Sequence, residues 1–323
     1  MEHINKIVQF LNQSGAISGA EIGRALGVSR VAVQKKMQSL VENGMPINAS
    51  PGVGYRLEEG VILLDAARIE SLFIPTVAEK VRSIEVMQSI ESTNNYLLGQ
   101  NFCNAGSRVC MAESQTSGRG RRGNDWMSTP YQNIMLSVSW SFDHWPSTIT
   151  GLGLAVGLMV AEYLASHHKV NAKIKWPNDI LVNNKKLAGI LVDVAGESSG
   201  ACNIVIGLGL NVNQANWSTE IGYDWVDLKS LGVTIDRNVL AADLISILVA
   251  MLSSYGKTGF SPLVSRWNSL SSYGGKNVVV SIGDDSFSGK MQGVDESGAL
   301  LICVDGEVVR IEDSTARIRM VSG

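Results

Sequence analysis

The sequence predicts an α+β protein of several units: an N-terminal winged helix-turn-helix, a central mixed-sheet α/β core and a small C-terminal SH3-like β-barrel. Three observations predict it. Helical periodicity with turn punctuation fills the first sixty residues. Strand and helix patterns then alternate. The last fifty residues, with VVVSIGDDSFSGKMQGVDESGALLICVDGEVVRI, alternate at period two. A chain of 323 residues has room for two or three domains, and the shifts in pattern place them at 1–60, 61–272 and 273–323.

The N-terminal unit is legible part by part. Ile4, Ile7, Val8 and Leu11 repeat at helical spacing. Ser18 with Glu21 three residues on makes a capping box for a second helix, which Gly27 ends in a tight turn. Ser29 caps a third helix whose stripe Val33, Met37, Leu40 and Val41 is expected to be buried. PINASPGVGYRLEE then reads as a hairpin, the wing. Between Arg24 and Arg56 five basic residues face one acid, Glu42, in a chain of net charge −3. That total excludes a generally basic nucleic-acid coat, so any such binding is local. Ser29, Arg30, Gln34, Lys35, Lys36, Gln38 and Arg56 are the DNA-binding candidates, with Arg30 or Gln34 reaching base edges. The competing reading is a helical packing module with a solvated basic face.

In the central unit, strands are expected at Ser83–Ile90, Val109–Ala112, Asn133–Trp140, Leu187–Val194 and Asn203–Val212. Amphipathic helices are expected near Leu152–Leu164 and Val239–Leu252. Ile149–Leu164, the most apolar stretch, carries Glu162 and falls short of the roughly 20 residues of a membrane span. Cys103, Cys110, Cys202 and Cys303 are scattered without a CxxC pair, and no secretory signal opens the chain. A cytoplasmic protein with no membrane partner is expected.

Chemistry concentrates in a few segments. QTSGRGRRGNDW packs three Gly and three Arg into Gly118–Gly123, a loop able to fold its backbone around an anion and supply fixed charge. A solvated basic loop is the bland alternative. Ser92 and Thr93 occupy a helix N-cap, where hydroxyls serve the backbone or a ligand. Lys186 enters an apolar strand, which calls for an anion or for snorkelling at the strand end. Gly189 permits close approach to the backbone. The glycines satisfy G-x-G-x-x-G, but NDWMSTP follows instead of a helix, which excludes a dinucleotide fold. No zinc spacing, nucleophile elbow or P-loop is present. Arg119, Arg121, Lys186, Asn94, Gln115 and Asp179 make an inventory suited to nucleotidyl transfer, where positioning and charge neutralisation dominate.

In order and spacing, STN at 92–94, GRGRRG at 118–123, KWPND at 175–179, KLAGIL at 186–191 and GLGLNVN at 207–213 resemble the bifunctional biotin protein ligase and biotin-operon repressor family of bacteria, along the whole chain. The resemblance implies that Ser92, Thr93, Asn94 and Gln115 hold the biotin ureido ring and neighbouring atoms. Gly118, Arg119, Gly120 and Arg121 would belong to the loop over biotin and its adenylate, with Lys186 on the carboxylate and α-phosphate and Gly189 in the same site. Arg119, Arg121 and Lys186 would be the catalytic cations. It further implies that Asp179, with Asn178 beside it, binds Mg²⁺, that Asn211 and the loop 212–226 close over the adenosine of ATP, and that Trp126, Trp217 or Trp225 packs on adenine. The implied partners are a biotin carboxyl carrier protein, operator DNA and a second copy of the chain once biotinyl-5′-AMP is bound. The chain departs from the family pattern at Asn124, where an Arg is usual. A biotin-sensing repressor without ligase activity and a lipoate-handling ligase are the alternatives. The ATP-directed groups Arg119, Arg121, Asp179 and Lys186 argue against the first and the GRGRRG and KWPND pair against the second.

Overall fold

The computed structural model describes residues 2–13, 15–42, 44–58, 61–100, 102, 106–143, 149–195, 201–213, 224–313 and 315–321. The N-terminal unit is α1 (Glu2–Gln13), α2 (Gly19–Leu26), α3 (Arg30–Glu42) and the hairpin β1 (Ile47–Ser50) and β2 (Gly54–Leu57). Its punctuation works as the sequence predicts. Ser18 and Glu21 form the reciprocal capping box, Gly27 closes α2 in the left-handed region at φ 66°, and Ser29 Oγ accepts the Ala32 N–H at 3.2 Å. Val33, Met37 and Leu40 are buried, whereas Val41 is 48% exposed. At 100° per residue Val41 has turned to the margin of that stripe, beyond the reach of α1 and α2.

The central unit continues with α4 (Ala66–Ser71), α5 (Pro75–Ala78), β3 (Val81–Met87), α6 (Thr93–Leu98), β4 (Ser107–Ala112), β5 (Ile134–Phe142), α7 (Leu152–His168), β6 (Lys173–Lys175), β7 (Asp179–Val182), β8 (Lys185–Ala195), β9 (Cys202–Leu210), α8 (Arg237–Thr258) and α9 (Val264–Leu270). Its seven strands order as β3-β4-β5-β9-β8-β7-β6, with β3 and β4 parallel and the other pairs antiparallel. Helices α7 and α8 pack on this sheet with β8 and β5, while α6 packs on β4, β5 and β9. With its preceding turn the first of these long helices spans Ile149–His168, so it and α8 are long and apolar enough to cross a membrane by composition. Leu152, Val156, Val160, Leu164, Leu244 and Leu248 are instead fully buried in the core, as helices covering a sheet require.

The C-terminal unit has β10 (Asn277–Ile282), β11 (Asp285–Val294), β12 (Leu300–Val304), β13 (Glu307–Ile311) and β14 (Arg317–Met320). They form an antiparallel sheet ordered β13-β12-β11-β10-β14. The predicted turns at 283–284, 297–298 and 305–306 are in place. Strands β13 and β14 are its edges, and no pairing between them closes a barrel among the described residues.

Candidate functional site

The central sheet turns a floor of missing side chains toward a cleft of about 1280 Å³. Gly189 on β8 lies opposite Gly209 on β9, and Gly207 lies between Leu191 and Ser137 of its neighbours. Side chains on a strand alternate faces, so Gly207 and Gly209 open the same surface. A Cβ on Gly209 would overlap the Trp126 indole, and one on Gly189 would come within 3.0 Å of its Cζ3. The Trp126 ring therefore rests on the two glycines, with Lys186 Nζ 5.4 Å from its centroid.

One end of the cleft is a polar network. Ser92 caps α6, so Thr93 and Asn94 sit in the first helical turn, and all three are buried. Gln115 Oε1 accepts from the Thr93 N–H at 2.8 Å and its hydroxyl at 3.1 Å. Ser137 Oγ lies 2.7 Å from Thr93 Oγ1 and 2.6 Å from Asn94 Oδ1. Asn94 Nδ2 donates to Asp193 at 2.8 Å. Both faces of the Asn94 amide are thus fixed, which suits recognition of a planar ligand group bearing donors and acceptors.

The Gly/Arg segment folds back over this network. Gly120 N–H donates to Asn124 O at 2.7 Å and Trp126 N–H to Gly118 O at 2.8 Å, so that the backbones of Arg119 and Asp125 pair as an antiparallel bridge. Arg122 and Gly123 turn the chain at φ 61° and 70°. Asn124 serves this turn through its backbone. Arg119 donates to Asn95 at 2.6 Å and pairs with Asp193 at 3.2 Å. Arg121 reaches Asn178 at 3.4 Å, and burial, then Arg122, lowers its pKa against the pull of Asp179. Arg122 donates to the Ala316 carbonyl before β14, joining the loop to the C-terminal sheet.

The other end is charged. Lys186 Nζ faces Asp179 Oδ1 at 2.8 Å, both side chains about one-fifth exposed, so the lysine meets the anion its burial demands. Lys175 lies beside them over the Tyr273 ring at 5.8 Å, and burial is the first cause that lowers its pKa. Asn178 Nδ2 holds the Ile190 carbonyl at 2.9 Å. Asn211 Nδ2 reaches the carbonyls of Lys186 and Val226, tying down both roots of the loop 212–226. Trp225, half-buried, runs alongside Lys186 in a parallel bridge. Trp217 lies outside the described residues. Seven cationic side chains line the cleft against three carboxylates, a surplus suited to a polyanion.

Ser92, Thr93, Asn94, Gln115, Arg119, Gly120, Arg121, Trp126, Asn178, Asp179, Lys186 and Gly189 thus gather around one space, with Asn211 buttressing its wall, whereas Gly118 is buried behind it against Trp126 and Gln115. Sequence reasoning missed Ser137, Asp193 and Lys175, and Arg317 and Arg319 of β14, which also line the cleft or its network. Period-two alternation from Gly189 puts Asp193 on the floor side, a signal available in the sequence. Nothing in the sequence places β14 at the cleft, because that depends on how two units dock.

On the N-terminal unit, Ser29, Arg30, Gln34, Lys35, Gln38 and Arg56 are exposed and Lys36 is half-buried. Gln38 Nε2 donates to Glu42 at 3.0 Å within its own helix.

Comparison with known proteins follows this division. Residues 86–211 match the biotin/lipoate A/B protein ligase family and residues 3–56 match an HTH domain. The chain is 39% identical over 292 residues to the bifunctional ligase/repressor BirA of Salmonella typhimurium, covering 90% of this chain and 89% of the relative. It is 36% identical to BirA of Escherichia coli, covering 93% and 92%. The biotin protein ligase of Aquifex aeolicus, solved in complex with biotin and ATP, shares the fold at TM-score 0.65 and 24% identity, over 74% of this chain and all of that one.

Proposed function

The chain belongs to the family of bifunctional ligase/repressors, and on that premise we propose how its residues divide the two tasks. It is a biotin–protein ligase and a DNA-binding repressor. The functional units are 1–60 for DNA, 61–272 for ligation and 273–323 as a cap on the cleft. We read the cap as SH3-like, a reading supported by the four-strand meander with the fifth strand beside the first.

Biotin lies along the cleft with its ureido ring among Ser92, Thr93, Asn94 and Gln115, and its chain runs past Trp126 to Lys186. The loop of Gly118, Arg119, Gly120 and Arg121 covers it, and Gly189 leaves room for the Trp126 ring and the Lys186 stem beside it. A carboxylate oxygen attacks the α-phosphorus of ATP and the bond to diphosphate breaks, giving biotinyl-5′-AMP. Lys186 and Arg121 neutralise the charge that gathers on the α-phosphoryl oxygens, while Arg119 holds the loop in place. A lysine amine of the biotin carboxyl carrier protein then attacks the acyl carbon, AMP leaves, and the amine gives its proton to solvent. Trp126, Trp225 and Trp217 are the surfaces offered to adenine, and Asn211 fixes the adenosine loop. Asp179, with Asn178 beside it, would hold Mg²⁺. No cluster of three metal-ligating side chains exists among the described residues. One carboxylate completed by nucleotide phosphates is an ordinary Mg²⁺ arrangement, so the residues fit. When bound, the ion neutralises phosphate charge.

The adenylate-bound chain pairs with a second copy and binds operator DNA through α3 and the wing, in the cytoplasm. The observation that carries the ligase reading is the cleft that joins a fixed amide network to the Lys186–Asp179 pair across a glycine floor. The test is mass spectrometry of a carrier domain incubated with the protein, biotin, ATP and Mg²⁺. One biotinyl addition to a lysine, lost when ATP is omitted or lipoate replaces biotin, is expected. An unmodified carrier with all components present overturns the assignment.

A further inference from the structure

Helix α3 carries an apolar side chain that its own unit does not use. Val31 is 62% exposed in the first turn, although Val33, Met37 and Leu40 already fill the buried side. A β-branched residue on a solvated helix face loses χ1 freedom and packs on nothing in return. Val31, Gln34, Lys35 and Gln38 follow i, i+3, i+4 and i+7, so they form one stripe opposite the buried one. All four are exposed. Within that stripe the Gln38 amide bonds Glu42 at 3.0 Å. Arg30 stands at the margin of the stripe, its Cγ on the side of α2, 3.8 Å from where a Cβ on Gly19 would stand. That places Arg30 on the side where α2 crosses the DNA backbone, a phosphate position. Arg24, Arg30, Lys35, Lys36 and Arg56 against Glu42 supply the charge that brings a polyanion to this face.

An apolar side chain set among amides and cations at the front of a recognition helix has one natural counterpart in the major groove, the 5-methyl group of thymine. A glutamine one turn on is matched by adenine, which offers N7 as acceptor and N6 as donor. We propose that Val31 packs on a thymine methyl and Gln34 pairs with a neighbouring adenine, so that each operator half-site carries adjacent A·T pairs under the first two turns of α3. This rests on the repressor reading and adds the bases to it.

The test uses the full chain with biotin, ATP and Mg²⁺. Duplexes are first selected from a random library, and each thymine of the selected half-site is then replaced singly by deoxyuridine, which removes only the methyl. Wild-type protein should lose about fourfold in affinity per half-site at one thymine, the worth of one buried methyl group. Val31→Ala should lose a similar factor on the intact site and become insensitive to deoxyuridine at that thymine alone. Gln34→Ala should relax the base preference at the adjoining pair. Thermal unfolding of both variants should match wild type, since neither side chain is buried. Deoxyuridine without effect at every thymine overturns the proposal, as does Val31→Ala with wild-type sensitivity to it. Failure to enrich any duplex removes the repressor reading itself, an outcome separate from both.

Discussion

A single methyl group at Gly207 tests the ligand network most directly. A Cβ there would overlap Asn94 Oδ1 and approach Asn94 Cγ to 3.0 Å, while Asn94 is only 3% exposed. The amide would have to swing away, losing its contact with Ser137 at 2.6 Å and its hydrogen bond to Asp193 at 2.8 Å. Ser137 keeps Thr93 and Asp193 keeps Arg119, so the fold retains most of its polar pairing. A misplaced buried amide costs about 1–3 kcal/mol. Expressed in ligand recognition, that raises the KM for biotin about 5- to 150-fold. Diphosphate release at varied biotin measures it, with the melting temperature as control for folding. Asn94→Ala should raise KM by a comparable factor, and adding Gly207→Ala to it should then have little further effect, because the clashing atoms are gone. Additive losses, or an unchanged biotin KM in Gly207→Ala, would show that Asn94 does not hold biotin.

Four further outcomes are expected. Lys186→Ala should lower adenylate synthesis by roughly 100-fold or more, the scale of one preorganised charge contact, and near-wild-type rates would take Lys186 out of the mechanism. Amide hydrogens of residues 115–126 should exchange more slowly once biotin and ATP are added, because the ligand supplies the anion the loop's arginines address; equal exchange contradicts this. Arg237→Met should destabilise the protein by about 3–5 kcal/mol in denaturant melts, since it strands the fully buried Glu113 carboxylate; a loss under 1 kcal/mol would mean that the charge finds another partner. Arg30→Ala should weaken operator binding across sequences and lower its salt dependence in gel shifts while adenylate synthesis continues, and biotin with ATP should strengthen wild-type binding as sedimentation reports dimers. Tight binding by a ligand-free monomer would break that coupling.

Local signals carried much of this molecule. Capping residues, glycine turns and periodicity located α1 to α3, the wing, β4, β5, β8, β9, α7 and α8 because these depend on neighbours in sequence. Short α4, α5 and α9 escaped, since a helix of one or two turns is stabilised by packing and leaves little periodicity. At the cleft, Asn94, Arg119, Arg121, Lys186 and Asp179 announced themselves by type and motif. Asp193 did not, because an acid on a strand looks solvated until Asn94 and Arg119 arrive from two other elements. Arg317 and Arg319 were hidden for the same reason on a larger scale, as was Arg122, which meets Ala316 across 194 residues of chain.

The joint between the N-terminal and central units bears on how occupancy of the cleft could govern DNA binding. Four consecutive backbone positions after the wing are each held by buried side chains. Ile62 O accepts from Arg237 at 2.8 Å, Leu63 O from Asn238 at 3.0 Å, Leu64 N–H donates to Glu113 at 2.7 Å and Asp65 N–H to Asn238 at 2.8 Å. Arg237 and Glu113 pair with each other at 2.7 Å. From the other side Tyr131, five residues past Trp126, buries its ring in the winged-helix core together with Leu63. The bonded segment and the core shared through Leu63 and Tyr131 seat the winged helix against the central unit, unlike a flexible linker. A rigid seat also matters for a symmetric pair of chains, because two recognition helices read a palindrome only at a fixed spacing. A swinging domain would spend binding free energy on ordering itself, whereas a seated one lets the second helix bind at high effective concentration. On the proposed pairing of two chains, control of DNA binding falls to their association and not to release of the winged helix.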